Sequence, residues 1–310
     1  MPEAPKIIVI TGPTATGKTE LGVRLALLTG GEVVSADSMQ IYRHMDIGTA
    51  KPAPEELCGV PHHMLDVAEP WENWSAARYV EAAGACVDDI LSRGRLPIIV
   101  GGTGLYIDSL IAGRNFADSP GNSGLRADLS ARYDAVGGET MLCELADVDP
   151  ERAAKLSPCD KKRIVRALEI YMLTGMTPTE HDEATKRVPP RYSAVKAALN
   201  FAERADLYAR IDRRVDLMVE AGLFSEVRSL LNSGLDDGCT AMQAIGYKEA
   251  AAAIRGNITQ DEAIELIKRE SRRYSKRQIT WLRRDSSVHW IIWDKKPDPD
   301  YALDYLKNIL

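Results

Sequence analysis

No apolar run in this chain approaches the ~20 residues that a membrane-spanning helix needs, so no membrane role is expected. Segments such as Ile7-Ile8-Val9-Ile10 are of strand length. The opening, Met1-Pro2-Glu3-Ala4-Pro5-Lys6, lacks the long apolar core of a secretory peptide. Cysteine is scarce. Cys58, Cys86, Cys143, Cys159 and Cys239 are five, an odd number, with no C-x-x-C spacing. A disulfide framework is therefore disfavoured, and reduced thiols in a cytoplasmic protein are expected. Positive charge is not in excess either: a formal net charge of −6 counts against a general polyanion binder. There is no internal repeat and no low-complexity tract. What remains is an ordinary globular composition, 310 residues with 45% hydrophobic and 27% charged. Such a chain can bury a sizeable core, in about two domains or in one with a large insertion.

The most informative stretch is Gly12-Pro13-Thr14-Ala15-Thr16-Gly17-Lys18-Thr19. It fits G-x-x-x-x-G-K-[ST], a phosphate-binding loop. The apolar run Ile7–Ile10 reads as a buried strand before it, and Glu20 to Leu28 as a helix after it. At such a strand-to-helix turn, backbone N–H groups and the positive end of the helix dipole hold an oligophosphate. Lys18 adds a point charge and Thr19 a ligand for Mg²⁺. The motif does not say whether the bound phosphate belongs to a nucleotide.

The pattern continues as alternating strands and helices. Glu32–Ala36 reads as a strand, Trp74–Arg93 as a helix with Ser75 near its start and Gly94 past its end. Leu96–Val100 reads as a third strand, Gly101-Gly102-Thr103-Gly104 as its exit turn and Leu105–Ala112 as a short helix. This alternation predicts a P-loop α/β fold, a parallel sheet flanked by helices. Ligands in such folds sit at the carboxyl ends of the strands, so Gly12–Thr19, Asp37 and Gly101–Gly104 are expected to converge. Asn115–Gly124 reads as a linker, Leu125–Thr174 as helical and Thr177–Tyr192 as a loop. Lys196–Phe201 returns as a strand of the first sheet. Asp206–Ala221, Phe224–Asn232, Ala244–Arg255 and Asp261–Arg284 read as helices, Val288–Trp293 as a last strand and Tyr301–Ile309 as a last helix. The expected division is an α/β core of residues 1–114 and 192–310, interrupted by a mainly helical insertion at 115–191.

Asp37, at a strand end beside the phosphate site, serves either as a metal ligand or general base, or as an Asx turn or helix cap. His62 and His63 lie on extended chain and point to opposite sides, so no zinc site is expected there. Local basic patches offset the acidic total: Lys161, Lys162, Arg163 and Arg166, and Lys268, Arg269, Arg272, Arg273, Lys276, Arg277, Arg283 and Arg284, opposed by Glu270. Arg269, Arg273 and Arg277 recur every four residues and share a helix face, which is either a phosphate-binding stripe or a solvated surface.

In this order the segments resemble the bacterial tRNA isopentenyl transferase family. The likeness runs through Gly12–Thr19, Asp37–Tyr42, Asp46–Pro52, Pro61–His63, Gly101–Tyr106, Arg163–Glu169, Met242–Glu249 and Lys276–Arg283. It implies transfer of a dimethylallyl group from dimethylallyl diphosphate to N6 of the adenosine 3′ of the anticodon, with release of diphosphate. The loop Gly12, Pro13, Thr14, Ala15, Thr16, Gly17, Lys18 and Thr19 then holds the prenyl diphosphate rather than ATP, with Mg²⁺ on Thr19. Asp37 matches the family's catalytic carboxylate, and Thr103 a position at the reaction centre. Lys18 would stabilise the leaving group. Arg210, with Arg214 as runner-up, resembles the diphosphate-binding arginine. Contacts to the tRNA anticodon stem-loop are implied for Asp37, Ser38, Met39, Gln40, Thr103, Arg126, Lys162, Arg163, Arg166, Met242, Gln243, Gly246 and Tyr247, and phosphate contacts for Arg273 and Arg277. The tail after Trp293 has no Cys or His for the zinc module of eukaryotic relatives. The insertion favours tRNA over free adenine nucleotides. A monomer in the cytoplasm is the default expectation. The competing readings are an ATP-dependent small-molecule kinase and a non-enzymatic RNA-binding protein.

Overall fold

The computed structural model describes residues 4–113, 123–186 and 188–310. Residues 115–122 of the expected linker lie outside them. The chain runs through β1 (Lys6–Thr11), α1 (Lys18–Thr29), β2 (Glu32–Ser35), β3 (His62–His63), α2 (Ala76–Ser92), β4 (Pro97–Val100) and α3 (Gly104–Ala112). There follow α4 (Ser123–Val136), α5 (Gly138–Val148), α6 (Pro150–Ala153), α7 (Lys161–Thr174) and α8 (Pro178–Lys186). The last stretch holds β5 (Ser193–Phe201), α9 (Arg204–Glu220), α10 (Leu223–Asn232), α11 (Tyr247–Ile254), α12 (Gln260–Leu282), β6 (His289–Trp293) and α13 (Pro299–Ile309). Two compact units result: Met1–Gly113 with Arg191–Leu310, and Arg114–Pro190.

The first unit is built on a six-stranded sheet in the order β3-β2-β4-β1-β5-β6, every pair parallel. Its central strands are covered on both faces. Ile7, Ile8, Val9 and Ile10 are all 0% exposed, which is why β1 reads as a continuous apolar run instead of an alternation. One core lies around Ile8, Ile10, Leu25, Ile98, Leu199, Ile211, Ile291 and Leu306. A second packs Ile41, Tyr42 and Met45, from the segment after β2, among Leu223, Val227, Tyr247 and Ile267 of the later helices. The second unit closes around Leu129, Met141, Leu145, Ile164, Val165 and Leu168.

Three details depart from the sequence reading. The loop expected over Thr177–Tyr192 contains α8. Pro178 takes its first position, where the missing N–H costs nothing. Thr177 and Glu180 form a capping box: the Glu180 N–H donates to Thr177 Oγ1 at 3.2 Å, and the Thr177 N–H to Glu180 Oε2 at 2.8 Å. The helix expected from Ala244 begins at Tyr247, because Gly246 has φ +102°. And His62 and His63 form an edge strand, too short for a periodicity to announce, paired with Val33 and Val34.

The sheet brings the ends of β1, β2 and β4 close enough to bond directly. The Ala36 N–H donates to Val100 O at 2.8 Å, the Gly101 N–H to Ile10 O at 3.1 Å and the Thr103 N–H to Ala36 O at 3.1 Å. A Cβ on Gly101 would stand 2.3 Å from the Ala36 carbonyl oxygen. Gly101→Ala is therefore expected to lose about 1–3 kcal/mol of stability, the cost of overpacking. Urea unfolding monitored by circular dichroism measures it; an unchanged midpoint would count against this close approach.

Candidate active site

The phosphate loop leaves β1 through Gly12, at φ +135°. A Cβ there would lie 2.3 Å from the Leu199 carbonyl oxygen of β5, so the loop can hug the sheet only as glycine. The turn is fastened on every side. Thr16 Oγ1 donates to Pro13 O at 2.8 Å, Lys18 Nζ to the same oxygen at 2.7 Å and Trp293 Nε1 to Thr16 O at 3.1 Å. Arg210 Nε donates to Ala15 O at 3.0 Å, and the Thr14 N–H to Gln278 Oε1 at 3.1 Å. Gly17, at φ +87°, starts α1, whose first N–H groups have no partner within the helix.

Asp37 follows β2. Its Oδ1 accepts the Met39 N–H at 2.8 Å and the Gln40 N–H at 3.3 Å, so the Asx turn weighed for this residue is present. Thr103 Oγ1 accepts the Ser38 N–H at 3.1 Å and donates to Ser38 Oγ at 3.4 Å. The Asp37 charge acts on Lys18, on Arg214 and on the hydroxyls of Tyr79, Tyr106 and Tyr274. Burial is the main cause holding Lys18 down to about 7. Arg214 pushes the same way and Asp37 opposes. Burial also lowers Arg214, against the pull of Asp37 and Glu56. Two cations thus share one nearby carboxylate, an arrangement that favours an incoming anion. Of the pair left open by the sequence, Arg210 is exposed and braces the loop from outside, its guanidinium 5.7 Å over the Phe201 ring. Arg214, one turn along the same face of α9, joins the field of Lys18 and Asp37. Arg210 therefore braces the phosphate loop, and Arg214 stands with Lys18 and Asp37.

The segment Asp46–Pro52, weakly informative as sequence, is held by a residue that no motif or pattern singles out. Glu226 of α10 accepts the N–H groups of Asp46, Ile47 and Gly48 at 2.9, 2.8 and 3.1 Å and the Tyr247 hydroxyl at 2.6 Å. This fixes the Thr49 carbonyl, which accepts from Arg214 Nη2 and Gln40 Nε2, each at 3.3 Å. The residues expected to meet RNA in this region differ in exposure. The side chains of Met242 and Tyr247 are 1% and 0% exposed and pack in the second core, and the Gly246 backbone is buried. Gln243 alone of that set is exposed, and its Nε2 donates to Asp237 O at 2.8 Å.

The basic stripe also divides. On α12, Lys268 pairs with Asp216 at 2.8 Å and Arg272 with Asp212 at 2.5 Å, both on α9. Arg273 pairs with Glu270 at 2.7 Å and Arg269 with the same carboxylate at 3.4 Å. Lys276, Arg277, Arg283 and Arg284 are exposed and have no ion pair among the described residues. Arg277 lies 5.5 Å over the Tyr274 ring and Arg284 5.7 Å over Trp281. In the second unit, Arg126 and Arg166 hold the buried Glu169 at 2.9 and 2.8 Å, leaving Lys162 and Arg163 as the exposed cations at the start of α7.

The IPP transferase family profile matches residues 40–285, and an isopentenyl transferase profile matches residues 5–72. The chain belongs to the IPP transferase family. It is 48% identical to the tRNA dimethylallyltransferase of Desulforudis audaxviator over 287 residues, 93% of this chain and 92% of the relative. It is 49% identical to that of Geobacillus thermodenitrificans over 285 residues, 92% and 90% of the two chains. Among solved structures it resembles the tRNA isopentenylpyrophosphate transferase of Bacillus halodurans, with a TM-score of 0.73 at 42% identity, covering 99% of this chain and 95% of the other. It also resembles a eukaryotic dimethylallyltransferase acting on tRNA, with a TM-score of 0.81 at 27% identity, covering 98% and 80%.

In this IPP transferase the adjacent histidines are engaged separately. His62 Nδ1 donates to Val60 O at 2.9 Å, and His63 Nε2 meets Glu32 Oε2 at 2.7 Å. No cluster of three or more His, Cys, Asp or Glu that could hold a metal occurs among the described residues. Thr19 Oγ1 has no hydrogen bond among them, which leaves it available as a ligand. Among the described residues no helix is long and apolar enough to cross a membrane. The depressed Lys18 gives the site a pH signature. An anion bound beside it raises its pKa above the free value of about 7, so binding takes up a proton and affinity rises as pH falls from about 9 to about 7. Titration calorimetry with inorganic diphosphate is expected to show this rise, and Lys18→Met to flatten it. Equal slopes in both proteins would remove Lys18 from the site.

Proposed function

We propose that the chain transfers the dimethylallyl group of dimethylallyl diphosphate to N6 of the adenosine 3′ of the anticodon in tRNA, releasing diphosphate. The observation that carries this reading is the meeting of Lys18 and Arg214 with Asp37 and Thr103 at adjoining strand ends. A phosphate loop recognises charge and geometry and needs no nucleoside, so it suits a prenyl diphosphate. The N6 lone pair attacks C1 of the dimethylallyl group while the C1–O bond breaks and its electrons leave on the diphosphate. Lys18, Arg214 and the loop amides stabilise the charge growing there. An aromatic amine is too weak an acid to lose its proton first. Asp37 accepts that proton as the N–C bond forms, with the oxygen that its Asx turn leaves over, and Thr103 and Ser38 line the same edge. Thr19, with the diphosphate oxygens and water, fits a Mg²⁺ ion, which commonly keeps several waters beside substrate phosphates; the ion would neutralise leaving-group charge.

The reacting base has to leave the anticodon-loop stack to reach Asp37. Asp37, Ser38, Met39 and Gln40 are where it would be met. Support for tRNA phosphates comes from the exposed Lys276, Arg277 and Arg283 of the first unit and Lys162 and Arg163 of the helical insertion. We take the enzyme to act as a cytoplasmic monomer.

The test is incubation with Mg²⁺, dimethylallyl diphosphate and unmodified tRNA, followed by nucleoside mass analysis. A five-carbon increment on adenosine is expected. Its absence, or ATP consumption with a phosphorylated product, would overturn the reading. Asp37→Ala should lower kcat by about 10²–10⁴-fold, the usual worth of a general base, with tRNA affinity retained; unchanged turnover would remove the proton-accepting role. Neutralising Lys276 and Arg277 together should reduce the slope of log affinity against log salt by roughly 1–2, because fewer counterions are released. An unaltered slope from filter binding would return both residues to a solvated surface.

A further inference from the structure

Three side chains share one face of α12 at the spacing i, i+4, i+7: the half-buried Tyr274, the buried Gln278 and the partly exposed Trp281. The Tyr274 hydroxyl is held beside Thr103 and Gln278 and feels the charge of Asp37. Trp281 packs on Gly104 and donates Nε1 to Asp108 Oδ2 at 2.7 Å. Between them Gln278, only 7% exposed, uses both ends of its amide. Its Oε1 accepts the Thr14 N–H of the phosphate loop at 3.1 Å, and its Nε2 donates to the Gly102 carbonyl at 3.0 Å. Gly102 makes room for this: a Cβ there would lie 2.2 Å from Gln278 Nε2. The two loops are otherwise joined where the sheet ends, at the Gly101 N–H to Ile10 O bond. Gln278 spans them beyond that point, on the side where the ligands would lie.

We propose that Gln278 is a positioning residue that fixes the separation between the leaving diphosphate and the attacking amine. The inference rests on the reading under Proposed function. Alkyl transfer needs the amine nitrogen, C1 and the departing oxygen in line, and the protein holds the two outer groups on different loops. One planar amide joins the phosphate loop at Thr14 to the turn at Gly102, whose neighbour Thr103 accepts the Ser38 N–H beside Asp37, and so sets their distance. Each loop alone keeps the means to bind its own ligand, so Gln278 acts on the rate of the ternary complex more than on either binding step.

The experiment compares wild type with Gln278→Leu, which removes both bonds, and Gln278→Glu, which keeps an acceptor for Thr14 but loses the donor to Gly102. Binary affinities for inorganic diphosphate and for tRNA, the melting temperature and the single-turnover rate at saturating substrates are measured. For Gln278→Leu the rate is expected to fall by about 10²-fold, the scale of an ångström-sized misplacement, with both affinities retained. For Gln278→Glu, protonation restores an O–H donor in nearly the shape of the native amide. The ratio of its rate to that of wild type is therefore expected to rise as pH falls. A Gln278→Leu rate within about twofold of wild type, or a loss matched in both binary affinities, would overturn the assignment. So would a pH-independent ratio for Gln278→Glu, which remains informative if the leucine variant does not fold. Wild-type protein unable to prenylate tRNA would instead overturn the functional reading, and this assignment with it.

Discussion

The closeness of backbone to backbone at the carboxyl edge of the sheet governs the rest of the molecule. At Gly12 and Gly101 a single extra carbon would collide with the carbonyls of Leu199 and Ala36. Because those carbons are absent, the exits of β1, β2 and β4 lie within hydrogen-bonding distance of one another. A helix N-terminus, a carboxylate and a hydroxyl thereby share one edge without any of them sitting on a long, free loop. A parallel sheet buried on both faces supplies the stiffness this requires.

Electrostatics build on that frame. The phosphate loop brings one cation and α9 brings another, and both are taken largely out of water beside a single aspartate. Burying like charges together costs free energy, and here the cost falls on Lys18, held down to about 7. An oligophosphate beside Lys18 and Arg214 relieves that cost, so the arrangement favours an anionic ligand. Elsewhere the charges are largely spent within the protein. Lys268 and Arg272 tie α12 to α9 through Asp216 and Asp212, and Arg126 with Arg166 neutralises the buried Glu169. A count of basic residues therefore overstates the surface left for a polyanion.

What could be read from the sequence was what local pattern encodes. The strand before Gly12, the helix after Gly17, Asp37 at a strand end and the glycine turn at 101–104 each follow from neighbours within a few residues, and the parallel α/β fold follows from their alternation. What could not be read depends on partners far along the chain. Glu226 looks like any surface glutamate of α10 until the amides of Asp46–Gly48 are folded against it. Gln278 lies 264 positions from the amide it accepts. Arg210 and Arg214 share a helix face, so only the packing of α9 separates their roles. The capping box of α8 was legible in principle, since Thr177-Pro178 followed by Glu180 is a start signal, but the polar composition concealed it.

The carboxylate of Glu226 receives four donors, three consecutive amides and a phenol, and so ties one loop to the helices of the second core. Exposing Asp46, Ile47 and Gly48 to solvent hydrogen means breaking their bonds to one carboxylate that is not on the loop itself. Their amide protons should exchange with deuterium together, at the rate at which α10 opens. The shelf beside Arg214 thus has the same lifetime as the hydrophobic cluster beneath it, and the loop and that cluster form one cooperative unit of the fold.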